Sequence, residues 1–393
     1  MPIKVLFLNS SVSGGGAGKA LVTMVSGLDR SKIEPHVVIP FDGVVGGGLR
    51  KTGAIVHYHR DLAERFGKTS LPLPGILRTE SLERLSNILL FGKIARDLLP
   101  LVRNLGIDLV YANHMIHTPV AIGLGRFARK PVIVHSREVL TGVAGSLFRW
   151  MASFPDVKKI VAISNLSARN YETLHKTRVI PDAIDLDSYR PPIEPLLRKE
   201  FGIGSDQKIV GFLGRIIEQK GVPVLLEAFA RISREDDKAV LVVIGGNDPS
   251  LRSDLLGQYR VMARKLGIDE RAFLIGFREN PRPYAIEFDV AVLPSIHPEG
   301  FGLVVAEAMA LGVPPLVSEN CGAAEFLKDE QNGMLFRSGD ADDLAAKLRT
   351  LLGNDDRRKQ MAQAAQKTAF EVFSSKRLGT DITSAIEDVL QGR

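Results

Sequence analysis

Two carboxylates, Glu299 and Glu307, stand eight positions apart around a glycine-rich turn. The residues before the turn, 288–293, are mostly apolar and predict a buried strand, whereas those after it recur at helical spacing. A carboxylate that accepts hydrogen bonds from two neighbouring hydroxyls can hold a ribose or a hexose. The pattern therefore favours a sugar site on a strand, a turn and a helix. The alternative is that Glu299 complements the helix dipole and Glu307 is merely solvated.

The turn between the two carboxylates has the composition of an anion site. Gly300 and Gly302 allow a phosphate to approach the backbone closely, and the N–H groups that open a helix favour negative charge. In open α/β sheets, ligands bind beyond the carboxyl ends of the strands, which is where this turn is predicted to lie.

Two cations lie at and just after the end of the first predicted strand of the second half, 208–215. Arg215 ends that strand, and Lys220 stands five positions later at the predicted entry to a helix. A guanidinium fork and an ammonium point charge at this spacing could converge on one diphosphate. A pair of exposed surface cations is the alternative.

These motifs resemble the family-4 retaining glycosyltransferases of the GT-B fold (glycosyl transferases group 1). Segment 294–314 is similar to the family signature, a Glu, Gly-Phe-Gly and a second Glu, and segment 214–221 is similar to its Gly-Arg-x4-Lys-Gly motif. The resemblance implies that Glu299 meets the donor sugar, and that Glu307 holds the ribose. It also implies that two cations neutralise the diphosphate. The implied donor contacts are Gly15, Gly16, Arg215, Lys220, Phe277, Arg278, Glu299, Gly300, Phe301, Gly302, Leu303 and Glu307.

Polar residues and glycines also end predicted strands in the first half. The loop 13–19 departs from Walker A spacing, and the resemblance places its Gly15 and Gly16 against the donor phosphates and the acceptor. His114 and His135 end two further predicted strands, where polar groups commonly line sites. The resemblance makes both candidates for a catalytic contact with the sugar, with a structural histidine as the alternative for each. Asn113 occupies the position at which many family members carry a histidine.

Length and patterning indicate an α/β protein of two domains. A chain of 393 residues, 45% hydrophobic, can bury two ordinary cores, and strands that alternate with helices predict doubly wound parallel sheets. The predicted divisions are an acceptor-binding domain at 1–180, a linker at 181–207 and a nucleotide-sugar-binding domain at 208–370. The resemblance implies that a final helix, 371–393, returns to the first domain. It also implies that two Rossmann-like domains face each other across a cleft, as in the GT-B fold.

The charge is unevenly distributed along the chain. Residues 1–180 carry 24 Lys and Arg against 12 Asp and Glu, whereas the remainder carries 27 against 33. The basic first half favours an anionic partner such as a membrane surface or a lipid phosphate, with solubilising charge as the alternative. A predicted helical region over 78–105, interrupted near Pro100, is one candidate for a membrane contact; packing as a crossover helix is the alternative. Nucleic acid is disfavoured because no basic motif is interleaved with aromatics.

The cysteine content and the apolar segments of the sequence indicate the cellular compartment. The single cysteine, Cys321, excludes an internal disulfide and fits a reducing environment. No stretch approaches the ~20 apolar residues of a membrane span, and the apolar run at the first residues is too short for a signal peptide. We therefore expect a cytoplasmic protein that is either soluble or peripheral on the inner face of the membrane.

The function implied by the resemblance is retaining, metal-independent transfer of a hexose from a UDP- or GDP-linked donor. The acceptor would be a glycan or a lipid-linked sugar in cell-surface polysaccharide or glycolipid synthesis. No cofactor is expected beyond the nucleotide-sugar co-substrate, and no cluster of Asp or His predicts a metal site. The alternatives are a sugar-nucleotide epimerase, a phosphorylase, or a non-catalytic membrane-surface subunit with the same fold.

Overall fold

The computed structural model describes residues 1–12, 15–62, 80–190, 192–248 and 253–392. The chain forms two compact units, Met1–Ala183 with Ser375–Arg393, and Ile184–Ser374. Each unit contains one parallel sheet with helices packed against it. The predicted fold class, two parallel-sheet Rossmann-like units, is confirmed.

The first unit is built on seven parallel strands. These are β1 (Ile3–Leu8), β2 (Ile33–Ile39), β3 (Ile55–Tyr58), β4 (Leu109–Ala112), β5 (Val132–Ser136), β6 (Val157–Ala162) and β7 (Thr177–Val179). Their order across the sheet is β3-β2-β1-β4-β5-β6-β7. The described helices between them are α1 (Gly16–Gly27), α2 (Val44–Lys51), α3 (Glu80–Leu105), α4 (Thr118–Ala128), α5 (Gly142–Ala152) and α6 (Asn165–Ala168).

The central strands are mostly apolar because both faces of the sheet are covered. Along β1, Val5 and Phe7 belong to one hydrophobic cluster, whereas Leu6 and Leu8 belong to another. Successive side chains of a strand point to opposite faces, so the two clusters are the cores on the two sides of one sheet.

The second unit repeats this plan with six parallel strands. They are β8 (Lys208–Leu213), β9 (Ala239–Ile244), β10 (Ala272–Gly276), β11 (Val290–Leu293), β12 (Pro315–Ser318) and β13 (Met334–Phe336), in the order β10-β9-β8-β11-β12-β13. Its described helices are α7 (Leu197–Phe201), α8 (Val222–Ile232), α9 (Leu255–Leu266), α10 (Arg282–Ala285), α11 (Leu303–Ala310), α12 (Ala341–Leu352) and α13 (Asp355–Val372). Residues 184–207 belong to this unit, and Leu197 of α7 is fully buried in its core.

The last helix, α14 (Ser375–Leu390), belongs to the first unit. One face of α14, including Leu378, Ile382 and Ile386, is buried in the core that also contains Val5 and Phe7. Its polar face forms ion pairs with the sheet, as between Asp388 and Lys159 at 2.9 Å. Apolar burial along one face of α14 therefore fixes the end of the chain on the unit that begins it.

One local prediction is wrong. The helical region predicted over 78–105 with an interruption near Pro100 is one helix, α3, from Glu80, with Pro100 inside it; Arg78 lies outside the described residues. A proline inside a helix removes a single i→i−4 hydrogen bond, and burial of Ile94, Leu98 and Val102 on one face offsets this loss. Within the described residues, no helix is long and apolar enough to cross a membrane.

Candidate functional site

The second unit has its topological switch point between β8 and β11. These strands are neighbours at the centre of the sheet, and the strand order runs outward from them in both directions. The loops that follow the two strands leave from the same edge, where doubly wound sheets bind ligands. The first loop contains Arg215 and Lys220, and the second contains Glu299 and the glycine turn.

Lys220 and Glu299 form an ion pair across these two loops. The Lys220 Nζ contacts Glu299 Oε1, and the two side chains are only 15% and 19% exposed. The second carboxylate oxygen, Oε2, accepts a hydrogen bond of 2.6 Å from the Ser295 hydroxyl. Each oxygen of Glu299 thus has a partner, which fixes the orientation of this carboxylate and keeps the ammonium of Lys220 beside it.

Backbone hydrogen bonds hold the loop that carries Glu299 on both sides. The N–H of Ile296 donates to Gln219 O at 3.0 Å, which ties this loop to the residue before Lys220. The N–H of Glu299 donates to Asn320 O, and the N–H of Gly322 donates to Glu299 O, each at 2.9 Å. Backbone hydrogen bonds to two other loops therefore fix the geometry of this loop.

Two glycines with positive φ are required for this arrangement. Gly221 has φ +66°, and a Cβ there would lie 2.0 Å from the carbonyl oxygen of Pro294. Gly302, the residue before α11, has φ +85°, and its Cβ would lie 2.8 Å from Cys321 Sγ. A larger residue at either position would separate the two loops or strain the backbone.

Arg215 has a different partner from Lys220. Its Nη1 lies 2.8 Å from Asp248 Oδ2, in the loop after β9, and its side chain is 68% exposed. The two cations predicted to share a diphosphate thus lie on one loop, each with its own carboxylate. Asp248 was not predicted, because nothing in its sequence context points to Arg215, 33 positions away.

Glu307 lies on α11 and is half-buried, so it is not merely a solvated carboxylate. It lines a pocket of the second unit together with Tyr189 and Arg282. Burial, and next the charge of Glu307 and a hydrogen bond with it, raise the pKa of the Tyr189 phenol, so Tyr189 stays protonated and can donate to the carboxylate. Tyr189 was missed by the sequence analysis and has no motif that could have identified it.

The remaining predicted donor contacts of the second unit differ in accessibility. The ring of Phe277 is largely exposed. The Arg278 guanidinium lies 2.9 Å from Glu200 Oε1 and above the Tyr284 ring, 5.3 Å from its centroid. Phe277 is therefore open to a ligand, whereas Arg278 is engaged by its own unit.

Three members of the glycine turn differ in burial. Phe301 is buried against Phe326 and Phe373, with ring centroids 5.8 and 5.6 Å away, so its side chain anchors the turn. Gly300 is buried, and Leu303, the first residue of α11, is half-buried.

The corresponding edge of the first unit carries a buried polar network. The Nη1 of Arg137 lies 2.6 Å from both carboxylate oxygens of Asp182. Its Nε donates to the carbonyl oxygen of Asn113 at 3.0 Å, and Nη2 donates to Asn113 Oδ1 at 3.1 Å. Asn113 in turn donates to Asn9 Oδ1 at 3.2 Å. The ends of β1, β4 and β5 and the residues after β7 are therefore joined by side chains.

His135 lies inside this network and is fully buried. Its Nδ1 is 3.0 Å from the Tyr111 hydroxyl and 3.3 Å from Arg137 Nη2, which can only donate. Nδ1 is therefore the acceptor and Nε2 carries the proton. Burial, and next the charge of Arg137, hold the pKa of His135 well below its usual value, so the ring is neutral and closed to direct contact with a substrate.

His114 occupies a more accessible position. Its Nδ1 accepts a hydrogen bond from the N–H of Ile116 at 3.3 Å, and Nε2 lies 3.2 Å from Glu138 Oε1. The side chain is partly exposed. The structure thus separates two histidines that the sequence analysis treated alike.

Gly15 and Gly16 are exposed and lie at the start of α1, after β1 at the switch point of the first unit. Ser13 and Gly14 of the same loop lie outside the described residues.

The described residues also include one group of metal-type ligands in the first unit. His59, Asp61 and Asp97 have ligand atoms within 4.8 Å of one another. Asp61 is paired with Lys93 at 2.5 Å, which supplies a positive charge without a metal. Metal independence of the reaction stays a prediction.

A fully buried histidine predicts pH-dependent stability. Burial, and next His114, lower the pKa of His117 from 6.5 to about 3. The unfolded chain binds this proton near pH 6.5 and the folded chain only near pH 3, so stability is lost as pH falls through this window, by about 1.4 kcal/mol per pH unit. Denaturant unfolding at pH 7 and pH 5, followed through Trp150, should therefore differ by about 2 kcal/mol from this group alone.

His117→Leu should remove that share of the pH dependence. The control is His175→Asn, because His175 is exposed and Asn tolerates its positive φ. An unchanged pH dependence in His117→Leu would contradict the assignment.

Comparison with known proteins places these motifs in a family. Residues 194–368 match the family described as glycosyl transferases group 1. This segment is therefore similar to group 1 glycosyl transferase domains. It contains Arg215, Lys220, Glu299 and Glu307, that is, both loops of the switch point and the helix that follows.

Two curated relatives are similar to this chain over about half of its length. D-inositol 3-phosphate glycosyltransferase of Nocardia farcinica is 34% identical over 193 residues, which are 48% of this chain and 42% of the relative. N-acetyl-alpha-D-glucosaminyl L-malate synthase of Bacillus anthracis is 29% identical over 195 residues, 50% of this chain and 49% of the relative. The chain spans about half the length of these curated relatives.

Solved structures are similar over the whole chain. HepE of Anabaena, crystallised with UDP and glucose, has a TM-score of 0.79 at 23% identity and covers 98% of this chain and 99% of its own. A glycosyltransferase from Rickettsia africae has a TM-score of 0.81 at 16% identity and covers 100% of both chains. At these identities the likeness is one of fold, and the fold is GT-B.

Proposed function

We propose that this protein is a retaining glycosyltransferase that moves a hexose from a nucleoside diphosphate sugar to a glycan or lipid-linked acceptor. The observation that carries the proposal is the Lys220–Glu299 pair at the switch point of a segment similar to group 1 glycosyl transferase domains. HepE was crystallised with UDP and with UDP-glucose, which supports a uridine donor over a guanosine one. In this proposal, the reaction is a step of cell-surface polysaccharide or glycolipid synthesis.

Arg215 and Lys220 supply positive charge that stabilises the leaving diphosphate. As the bond between the sugar and the diphosphate breaks, negative charge grows on the departing oxygen, and a preorganised ammonium stabilises it more than it stabilises the bound donor. The first N–H groups of α11, which have no partner within the helix, favour the same charge. This electrostatic support takes the role that a divalent cation would otherwise have, so the reaction should persist in EDTA.

The ion pair also determines how the donor enters. Lys220 must share its ammonium between Glu299 and a phosphate, and an ammonium has three donors for this. Glu299 keeps its bond with Ser295 and stays oriented toward the transferred hexose. The acceptor attacks the face that the diphosphate leaves, its proton passes to a leaving-group oxygen, and the new bond retains the anomeric configuration.

The test is a panel of UDP- and GDP-linked sugars with and without candidate acceptors. Release of nucleoside diphosphate together with a glycosylated product of retained configuration supports the proposal. Conversion of one nucleotide sugar to its epimer without nucleotide release would establish the epimerase instead. Donor binding without turnover on any acceptor would favour a non-catalytic subunit.

The two carboxylates have separable roles. Glu307, held by Tyr189, should accept hydrogen bonds from the ribose, so Glu307→Gln is expected to weaken UDP binding by about tenfold, the value of one charge-assisted hydrogen bond. Glu299→Gln should leave UDP affinity nearly unchanged and slow turnover, because UDP lacks the hexose. Calorimetry with UDP measures both. Weakening by Glu299→Gln alone would reverse the two assignments.

We assign the first unit to the acceptor, with His114 the more exposed of the two candidate histidines. The excess of basic residues in the first half of the chain leads us to propose an anionic membrane surface as a partner, with the protein peripheral on the cytoplasmic face. Its binding to vesicles should then weaken as salt screens the charges.

A further inference from the structure

Helix α5 of the first unit presents apolar side chains to solvent. Val143, Leu147 and Trp150 are 82%, 50% and 58% exposed and recur at i, i+4 and i+7, which places them on one face. Met151 and Ala152 are buried against the unit. Helix α5 therefore has two apolar faces, and only one of them is used by the fold of the described residues.

A cluster of cations lies beside this stripe. Arg126, Arg129, Lys130 and Lys158 line a shallow pocket between the end of α4 and the start of β6, and Phe127 is exposed next to it. Asp156 is the acidic group of the pocket lining, and it is paired with Arg126 at 2.8 Å. With four cations and one carboxylate, the lining therefore carries an excess of three positive charges.

Aromatic contacts join the stripe to the cluster. The rings of Trp150 and Phe154 meet edge to face with centroids 4.8 Å apart. The guanidinium of Arg126 lies over the other ring, 5.7 Å from the centroid of Phe154. The apolar stripe of α5 and the cations of the α4 end therefore form one continuous surface, called here the α5 surface and consisting of Phe127, Val143, Leu147, Trp150 and the four cations.

We propose that the α5 surface docks on the headgroup region of an anionic bilayer, an inference that rests on the membrane association proposed above and gives it a location. Exposed aromatic and aliphatic side chains beside Arg and Lys suit the boundary between headgroups and acyl chains, where rings partition and cations meet phosphates. Anionic lipid complements the excess positive charge of the surface. A second copy of the chain would bring the same charge against itself, which disfavours self-association.

The protein carries its own probe for this surface, because Trp150 is its single tryptophan. Emission from Trp150 should shift to the blue when vesicles of phosphatidylglycerol and phosphatidylcholine are added, and brominated lipid should quench it. Vesicles of phosphatidylcholine alone should produce a much smaller change. Both effects should decrease as salt is raised, because the electrostatic part is screened.

Two variants separate the apolar and ionic contributions. Val143→Glu combined with Leu147→Glu should reduce the partition coefficient onto anionic vesicles by at least about tenfold in sedimentation. Arg129→Glu combined with Lys158→Glu should do the same at low salt and much less at high salt. The controls are Val261→Glu on α9 and Lys367→Glu on α13, both exposed side chains of the second unit, which should bind as the native protein does.

The outcomes distinguish this inference from the proposals it builds on. No sedimentation of the native protein would remove membrane association itself. Sedimentation that both double variants retain, with Trp150 emission unchanged, would overturn the α5 surface alone. Self-association that Val143→Glu with Leu147→Glu abolishes would make a second copy the occupant and overturn the bilayer. Calorimetry with UDP on the same variants should be unchanged, and it tests the donor site of the proposed glycosyltransferase independently.

Discussion

Alanine in place of Lys220 is expected to reduce glycosyl transfer by about 10²–10³-fold, the loss typical of removing one preorganised group that stabilises developing negative charge. The physical reason is twofold. The leaving diphosphate loses its nearest ammonium, and Glu299 loses the partner of one oxygen in a site where both side chains are largely buried. Steady-state kinetics with a saturating donor should show the loss mainly in kcat, because the charge that Lys220 neutralises is greatest in the transition state.

The matched variants test the specificity of this effect. Arg215→Ala should cost less than Lys220→Ala, because Arg215 is mostly exposed and water screens its charge. Lys238→Ala removes an exposed lysine paired with Asp206 at 3.1 Å, at the start of β9 and away from the switch point, and should leave transfer unchanged. Near-native turnover in a variant lacking both Arg215 and Lys220 would refute the diphosphate clamp.

Alanine in place of Asp182 is expected to destabilise the first unit by about 3–5 kcal/mol. Arg137 and Asp182 are both nearly inaccessible to solvent, and the carboxylate accepts two hydrogen bonds of 2.6 Å from one nitrogen. Removing Asp182 leaves a buried guanidinium without its countercharge. Denaturant unfolding followed through Trp150 isolates the first unit, since the second unit contains no tryptophan.

The control for this prediction is another aspartate–arginine pair in the same unit. Asp42 accepts two hydrogen bonds from Arg50, at 2.8 and 2.9 Å, but both side chains are exposed, so Asp42→Ala should cost at most about 1 kcal/mol. Replacing Arg137 and Asp182 together by Met and Leu should recover part of the loss, because no buried charge remains. Equal effects of Asp182→Ala and Asp42→Ala would show that the network does not exclude water.

The architecture was predictable from the amino-acid sequence. Runs such as 239–244, apolar at every position, predict strands covered on both faces, and their alternation with helices leaves a doubly wound parallel sheet as the consistent arrangement. The secondary structure of the candidate site was also predictable, because the local sequence pattern around Gly302 indicates a strand, a glycine turn and a helix. The group 1 motifs are local in the same sense, because each lies within about twenty residues of chain.

The contacts between distant side chains could not be predicted in this way, because they depend on the tertiary structure. Glu299 pairs with Lys220, 79 positions earlier, and Arg215 with Asp248, because neighbouring strands release their loops at one edge of a sheet. Strand order and register follow from packing over the whole chain and leave no mark on the residues of the loops. For the same reason His135 and His114, alike in sequence as polar residues at strand ends, differ in structure. The strand residue His135 is enclosed by Tyr111 and Arg137, whereas the loop residue His114 caps a turn and is partly exposed.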